Sequence, residues 1–413
     1  MRSTAFCFVI ACLILSTPSS HLQAQERITT PPVVSSLWEY NGAIHALALG
    51  VDDNYDGAQD STDEPATWLV VDPTTRAITS QYVFPWADIT AKHMGFDPYL
   101  GLMFIALDDT VWAYTATTQQ RSSSPVMHGS DITSVAYNVP TGKLYTSHRP
   151  SYTDPGYITI LDPTAGSRTE VDVAVNPQMI EFYTRGTTSL PLVLCEGTFG
   201  NMDGSLVFIN DDNTIAELVV GDTPNNVAID NARGLAYVTM TGSHEVVIVD
   251  VISRTVSGRF PTPTSGYDGP REIALHENFA FVTTYAGTVL MFDRGLQGDD
   301  LQLTLRRSFD VGDKCDPVLV AFDHLWVGAT YAGTSYDPAT DIIVFPLNTV
   351  SVRESDEESH FDDVHWAAHT YAVDLRGVRM PLVVRDGEID RSQLAPGVYF
   401  ITDGHTTRTI LLP

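Results

Sequence analysis

The amino-acid sequence predicts an all-β protein, namely a seven-bladed β-propeller followed by a small C-terminal antiparallel β-module. Two observations carry this prediction: one strand pattern recurs at a nearly constant spacing, and 29 Gly and 24 Pro are spread along the 413 residues. Such frequent Gly and Pro favour turns and short strands over long helices. With 43% hydrophobic and 18% charged residues, the chain can also bury a sizeable core.

The N-terminal residues 1–24 are predicted to be a cleaved secretory signal peptide. Arg2 supplies the positive start, Ala5–Leu15 is an apolar run too short to span a bilayer, and a small polar stretch leads to cleavage after Ala24. Lipid attachment at Cys12 is the alternative, disfavoured because the apolar run continues beyond that residue. No transmembrane segment is expected after signal cleavage.

Two of the four cysteines, Cys7 and Cys12, leave with the signal peptide. Cys195 and Cys315 remain in the mature chain. Secretion permits a disulfide between them, but nothing in their spacing brings them together, so two buried thiols are an equal alternative.

A four-strand repeat extends over residues 33–349. In its clearest copy, Asn226–Phe260, an apolar strand, a strand rich in Tyr and Val, a strand ending in Asp and a short polar strand follow one another. The end of the third strand recurs about every 46 residues, at Asp72, Tyr114, Asp162, Asn210, Asp250, Asp293 and Pro346. Seven copies of this length predict seven blades. A set of β-sandwiches is the alternative, but sandwiches are not expected to repeat one pattern at a fixed period.

One copy of the repeat resembles a known family. Gly221–Asp230, Leu235–Thr239 and Val247–Asp250 are similar to the YVTN β-propeller repeat, and Gly269–Asp293 matches it in part. The resemblance implies a propeller that serves as a binding scaffold and in some cases as an enzyme. It implies no particular activity.

An acidic loop in the first blade predicts a structural calcium site. Residues 52–63 place oxygen ligands at positions 1, 3, 5, 9 and 12 and Gly57 at position 6, which resembles the calcium loops of EF-hands, dockerins and thrombospondin type 3 repeats. The predicted ligands are Asp52, Asn54, Asp56, the carbonyl of Ala58, Asp60 and Asp63. The alternative is a solvated acidic hairpin. Against it, six acidic residues within thirteen positions repel one another unless a cation is bound.

The composition changes after the repeat. Residues 350–368 carry a run of acidic side chains, which predicts a solvated linker. Residues 369–413 carry four strand signals separated by Arg-Gly and Asp-Gly turns, and this alternation predicts a small antiparallel β-module.

This last segment resembles the C-terminal sorting domain of type IX secretion substrates. The residues that carry the resemblance are Leu375, Gly377, Leu394, Pro396, Gly397, Val398, Tyr399 and Phe400. It implies a bacterium of the Bacteroidetes kind, export by Sec, the type IX secretion machinery as partner, and a protein released or attached to the outer cell surface. The Tyr-Pro-Asn-Pro element usual in such domains is missing, which indicates a shortened module. The alternative is a small β-domain that packs on the propeller or binds a partner.

Charge and motifs restrict the classes of function. Lys plus Arg number 23 against 51 Asp plus Glu, and this net charge of -28 argues against nucleic acid or an anionic membrane as partner. The sequence contains no nucleophile-elbow, zinc-protease, phosphate-loop or dinucleotide motif. His365 and His369 lie beside strand signals, where their spacing does not suit zinc. Acidic residues are too numerous to select a glycosidase pair.

Two function classes remain. The favoured one is a secreted or surface-attached scaffold that binds a glycan, peptide or protein. The other is an extracellular hydrolase or lyase, acting on a lactone or polysaccharide with carboxylates or histidines around the central channel. Tyrosines in predicted loops are candidates for a binding face, although loop aromatic rings more often only cap the blades. These tyrosines are Tyr152, Tyr267, Tyr285, Tyr331 and Tyr336.

Overall fold

The structure, a computed structural model, describes residues 25–53, 60–61, 63–85, 94–107, 109–297 and 300–347 and the strands of the C-terminal segment. The chain divides into two compact units, Met1–Asn348 and Thr349–Pro413. The predicted signal peptide lies outside the described residues. Within the described part of the chain, no helix is long and apolar enough to cross a membrane.

Seven antiparallel sheets make up the first unit, and six of them are built from consecutive strands only. Blade 1 contains β2 (Val34–Tyr40), β3 (Ala43–Ala48), β4 (Thr67–Val71) and β5 (Ile78–Val83); blade 2 contains β6 (Gly95–Asp97), β7 (Leu102–Leu107), β8 (Thr110–Thr115), β9 (Gln120–Arg121) and β10 (Met127–His128). Blade 3 contains β11 (Ile132–Asn138), β12 (Lys143–His148), β13 (Pro155–Asp162) and β14 (Ser167–Val175); blade 4 contains β15 (Pro177–Arg185), β16 (Thr188–Cys195), β17 (Gly204–Ile209) and β18 (Ile215–Gly221). Their order along the chain is the order around the ring.

The remaining blades follow the same order. Blade 5 contains β19 (Pro224–Asp230), β20 (Leu235–Met240), β21 (Glu245–Asp250) and β22 (Thr255–Pro261); blade 6 contains β23 (Pro270–His276), β24 (Phe279–Thr284), β25 (Thr288–Gln297) and β26 (Asp300–Asp310); blade 7 contains β27 (Lys314–Ala321), β28 (His324–Tyr331) and β29 (Asp341–Pro346). The predicted seven-bladed propeller is confirmed. Each of the seven residues predicted to end a third strand lies in, or directly after, the third strand of a different blade. The alternative of separate sandwiches is excluded.

The N-terminal strand closes the ring. β1 (Glu26–Thr29) pairs antiparallel with β29 and is the outer strand of blade 7. Arg27 adds ion pairs of 2.8 Å to Asp313 and 2.9 Å to Asp341. The prediction that began the propeller at residue 33 left this strand out, because four residues carry too little alternation to be recognised without their partner.

The core lies between neighbouring blades. Alternate residues of β20 show why: Ala236 and Val238 pack in a cluster with blade 4, whereas Leu235 and Tyr237 pack in a cluster with blade 6. Successive side chains of a strand point to opposite faces of its sheet, so one strand serves two interfaces. A single blade could not cover both of its faces, and the ring buries them all.

Most inner strands begin with a β-bulge. The pairing register shifts after the first residue of β2, β11, β15 and β19, and near the start of β23 and β27. A bulge re-aims the side chain of the extra residue, here toward the axis of the ring.

Threonines on second strands hold these bulges in place. Thr283 accepts a hydrogen bond from the Glu272 backbone N–H (2.9 Å) and donates to the Asp316 carbonyl of the next blade (2.8 Å). Thr239 occupies the same place one blade earlier and donates to the Arg271 carbonyl. Blades 5 and 6 therefore each position the first residues of the next blade.

The direction of the strands defines two faces. In an antiparallel blade, the loops between second and third strands and the loops leading to the next blade lie at the same end. We call this end the upper face, and we call the end that carries the other loops the lower face. Every bulged inner strand begins at the upper face.

The two cysteines among the described residues, Cys195 and Cys315, are free and fully buried. Burial raises the pKa of both thiols, that of Cys315 to about 12. They are inert core residues at neutral pH, which confirms the alternative of two buried thiols.

In the C-terminal unit, the described residues form short strands. They are β30 (Tyr371–Asp374), β31 (Arg379–Pro381), β32 (Val384–Arg385), β33 (Glu388–Ile389), β34 (Gly397–Thr402) and β35 (Thr407–Leu412). Four of them form one antiparallel sheet in the order β31, β30, β34, β35, and β32 pairs with β33.

Candidate functional site

A small chamber lies on the axis of the ring at the upper face. Its volume is about 90 Å³, and its lining comes from blades 1, 4, 5, 6 and 7. The lining residues are Val33, Ser35, Leu49, Gln178, Asn225, Glu272, Tyr285, Asp316, Thr330 and Tyr331. Most of the polar members belong to the bulged starts of inner strands. Side chains from non-neighbouring blades meet in this way only at the axis.

An ion pair forms one wall of the chamber. The Arg271 guanidinium lies 3.3 Å from an Asp316 carboxylate oxygen, and both side chains are nearly buried. The Tyr285 hydroxyl donates to the same carboxylate at 3.2 Å, and the guanidinium stacks 4.4 Å from the Tyr285 ring centroid. Burial raises the pKa of Tyr285 well above its usual value, and the negative charge of Asp316 raises it further. The hydroxyl therefore keeps its proton. The ion pair and the protonated hydroxyl make this wall nearly neutral.

A run of tyrosines leads from the chamber to the surface. The ring of Tyr285 meets that of Tyr331 edge-on at 6.0 Å, and Tyr331 meets Tyr336 at 5.4 Å. Tyr336 is 59% exposed. The Lys314 ammonium, itself nearly buried, lies 4.9 Å from the Tyr336 ring centroid and 3.5 Å from Asp268. The aromatic surface therefore begins inside the chamber and continues onto the upper face.

Further aromatic side chains stand exposed on upper-face loops of other blades. Phe199 and Tyr267 are 68% and 73% exposed, and their rings lie nearly parallel with centroids 6.5 Å apart. Met202 is exposed on the same loop as Phe199. Tyr152 carries the Arg149 guanidinium over its ring at 4.2 Å. Exposed aromatic rings grouped on one face are typical of binding surfaces.

All five loop tyrosines of the sequence analysis lie on upper-face loops or, for Tyr331, at the strand end that leads into one. Tyr285 and Tyr331 line the chamber, whereas Tyr152, Tyr267 and Tyr336 lie outside it on the same face.

Sequence reasoning missed the polar residues of the chamber. Gln178 and Asn225 each follow the first proline of an inner strand, and Glu272 lies two positions after the corresponding Pro270. A proline followed by polar residues at the start of three successive repeats, those of blades 4, 5 and 6, was the available signal. Its meaning depends on the bulge, which a strand pattern alone does not reveal.

A second, wider cavity lies deeper in the channel. It measures about 330 Å³, and Glu272 lines both this cavity and the chamber. Glu181 of β15 also faces this cavity. Burial raises the pKa of the Glu181 carboxyl to about 7, against a small opposing hydrogen bond from the backbone of Phe182. The channel therefore holds a carboxylic acid that titrates near neutral pH.

Replacing Glu181 by glutamine is expected to stabilise the protein at high pH. Between pH 4.5 and 7 the folded chain binds a proton that the unfolded chain does not, so this group's contribution to stability falls as pH rises through that window. Denaturant unfolding at pH 8 should show Glu181→Gln more stable than the wild type by about 2 kcal/mol, with no gain at pH 4.

The matched control is Glu39→Gln, which changes an exposed carboxylate on another inner strand. It should leave the unfolding free energy within about 0.5 kcal/mol at both pH values. An equal gain in both variants at pH 8 would show that general charge repulsion, not burial of Glu181, is responsible.

The predicted calcium loop lies on the upper face, between β3 and β4. Backbone hydrogen bonds of 2.8 and 2.9 Å between Val51 and Glu64 close it at its base. Inside, the Asp63 carboxylate accepts from the backbone N–H groups of Asp53 (3.0 Å) and Asp60 (2.6 Å). Asp63 is thereby fixed facing the interior of the loop.

Three of the six predicted calcium ligands lie within the described residues. Of the predicted ligands, Asn54, Asp56 and Ala58 lie outside the described residues, and Asp52, Asp60 and Asp63 lie inside them. Over the described ranges, no three His, Cys, Asp or Glu side chains are grouped so as to hold a metal ion. The calcium site stays a prediction.

The predicted sorting residues fall partly in the C-terminal sheet. Gly397, Val398, Tyr399 and Phe400 are the first four residues of β34, which lies between β30 and β35. The others, Leu375, Gly377, Leu394 and Pro396, lie outside the described residues.

Comparisons with known proteins bear on the fold. No protein-family model matches the chain, and no curated protein matches it. Among solved structures, it is similar to U3-55K (TM-score 0.60, 10% identity, 78% of this chain and 98% of that chain), to the RRP9 WD40 repeats (0.60, 9%, 78% and 97%) and to Kuenenia stuttgartiensis hydrazine synthase (0.56, 12%, 80% and 98%). At such identities the likeness shows the propeller fold alone. The resemblance to the YVTN repeat stays a prediction.

Proposed function

We propose that the protein is a binding scaffold that holds its ligand on the upper face, over the central chamber. The observation that carries this proposal is the joint occurrence of a polar chamber and exposed aromatic rings on loops of several blades. Ligand sites combine aromatic area with a few convergent polar groups. Propellers place such loops on a rigid ring, which suits binding without large conformational change.

The proposal is tested with the chain from residue 25 onward, immobilised and exposed to separate panels of soluble polysaccharides, peptides and proteins. A ligand of any class should bind the wild type and lose at least tenfold in affinity to the double variant Phe199→Ala, Tyr267→Ala. Tyr99→Ala is the control, since Tyr99 is 83% exposed on a lower-face loop. Absence of any ligand, or equal loss in the control, contradicts the proposal.

We also propose that the protein acts outside the cell, after Sec export and type IX secretion. The signal peptide, acidic linker and terminal β-module occur in the order that this route requires. A reporter fused to Ser351–Pro413 behind a signal peptide should reach the cell surface or medium of a type IX host. The same fusion lacking Gly397–Pro413 should stay in the periplasm, and retention of both fusions would rule the route out.

The acidic loop is proposed to bind one structural calcium ion. Titration calorimetry of the full chain should show uptake of calcium, weakened at least tenfold by Asp56→Asn, which changes a ligand at position 5. Asp53→Asn removes the same charge at position 2, which supplies no ligand, and should change the affinity less than about threefold. Equal losses in the two variants would favour the solvated hairpin, as would the absence of binding heat.

A second candidate is the extracellular hydrolase or lyase. The observation in its favour is Glu181, whose pKa of about 7 suits a general acid in the channel. Turnover of lactones or polysaccharides by the wild type, lost in Glu181→Gln, would establish it. Binding without turnover leaves the scaffold as the function.

A further inference from the structure

Resting on the proposed binding function, we infer that the ligand is a neutral glycan whose terminal hydroxyl groups enter the central chamber while its sugar rings lie on the aromatic surface outside. The chamber and the exposed rings form one continuous site, because Tyr331 lines the chamber and packs on the exposed Tyr336.

The size of the chamber limits what can enter it. Its volume of about 90 Å³ compares with about 30 Å³ per water molecule in the liquid and about 150 Å³ for a cavity that holds benzene. An aromatic or large aliphatic side chain of a peptide is therefore too large. Two neighbouring hydroxyl groups with their carbon atoms are of the right size.

The lining of the chamber matches hydroxyl groups in particular. The amides of Gln178 and Asn225 each offer a donor and an acceptor, and the Glu272 carboxylate accepts. A sugar hydroxyl donates and accepts at once, so it can satisfy both kinds of partner. An anionic group such as phosphate would meet the carboxylates of Glu272 and Asp316, and the Arg271 guanidinium is already paired with Asp316.

A buried hydroxyl in the chamber wall supplies an independent observation. Thr330 is 5% exposed and lines the chamber, and its Oγ1 has no hydrogen-bond partner among the described residues. Buried polar groups are nearly always paired, and the partner of an unpaired one is often a water, ion or ligand atom. A turn of the Thr330 side chain about χ1 would bring this hydroxyl, which has less than 1 Å² of accessible surface, within reach of a ligand hydroxyl in the chamber.

The surface around the chamber fits the rest of such a ligand. Tyr336, Tyr267 and Phe199 present flat, largely exposed rings on loops of different blades. The C–H faces of sugar rings stack on aromatic rings, while their hydroxyls point sideways to polar groups. A glycan can lie across these rings without the deep apolar pockets that a peptide anchor requires.

The inference is tested by calorimetry on the full chain with a panel of neutral polysaccharides, β-glucan, α-mannan, xylan and galactan, and with a peptide library. We expect one polysaccharide to bind, and the free monosaccharide of its terminal residue to compete. The deoxy analogue that lacks one terminal hydroxyl should compete at least tenfold more weakly, because a site built to bond a hydroxyl rejects its absence.

Thr330→Val is the decisive variant, since it removes one hydroxyl from the chamber and keeps the shape of the side chain. Affinity for the polysaccharide should fall about tenfold while the thermal midpoint stays unchanged, since no protein hydrogen bond is lost. Thr79→Val, on the exposed outer strand β5, is the control and should bind as the wild type does.

Two results overturn the inference while leaving the proposed function intact: binding of peptides but of no glycan, or glycan binding that Thr330→Val does not weaken. A chain that binds no ligand of any class contradicts the proposed function instead, so the two failures are distinguishable.

Discussion

Replacing Ile28 by aspartate is expected to destabilise the propeller by about 4 kcal/mol and to release the strand that closes the ring. Ile28 is 6% exposed, pairs in register with Ile342 of β29, and packs in the cluster that joins blade 7 to blade 1. A carboxylate there would be buried without a partner. Denaturant unfolding gives the loss, and hydrogen exchange should show faster exchange along β29.

The control for this variant is Ile78→Asp. Ile78 also lies on the outer strand of a blade, but it is 36% exposed, so its replacement should change the unfolding free energy by about 0.5 kcal/mol or less. If both variants lose the same stability, β1 does not close the ring in solution. The same conclusion follows if exchange along β29 is unchanged in Ile28→Asp.

Acid is expected to weaken blade 1 through His45. The imidazole is 3% exposed, and its Nδ1 accepts a hydrogen bond of 3.1 Å from the indole N–H of Trp68. Burial lowers the pKa of His45 to about 4, with a hydrogen bond to the backbone of Tyr40 opposing the shift in part. Protonation would place a charge in the core and put a proton where Trp68 donates.

The sign of the pH dependence follows from these values. Above pH 6.5 the imidazole is neutral in both the folded and the unfolded state, so it adds nothing to the pH dependence of stability. Between pH 6.5 and 4 the unfolded chain binds a proton that the folded chain does not, so stability falls as pH falls, by about 3 kcal/mol over the window. Below pH 4 both states are protonated and the loss is complete.

Glu181 acts in the opposite direction over nearly the same window, so the wild type alone would conceal both effects. The unfolding free energy is therefore measured from pH 7 to 4 in Glu181→Gln, with and without His45→Gln. Glutamine keeps an acceptor for Trp68 and cannot be protonated, and the second substitution should remove at least half of the acid-induced loss. Identical slopes in the two proteins would show that His45 is not the group responsible.

Agreement between sequence and structure is closest for the repeat. The apolar run Leu235, Ala236, Tyr237 and Val238 predicts a strand, and in the structure each face of this strand packs against a different blade. The residues predicted to end third strands lie in or directly after those strands, because a strand and the turn that ends it are specified by adjacent residues. Seven repeats predict seven blades for the same reason.

The loop tyrosines can also be identified from the residues next to them in the sequence, but their arrangement in space cannot. Tyr267 and Phe199 lie 68 positions apart in the sequence and stack only because blades 4 and 6 present loops to the same face. A loop aromatic identifies a candidate, and the direction of the strands decides where it lies.

Blade number, strand positions and the acidic character of the chain can be read from short stretches of residues, because alternation, turn chemistry and charge act over a few positions. The closing strand and the chamber cannot. Arg27 meets Asp341 across 314 positions, and Ser35, Asn225 and Asp316 meet at the axis only after the ring has closed. Burial of a polar group such as Thr330, and the unmet hydrogen bond that results, depends on residues from distant blades, so it exists only in the folded protein.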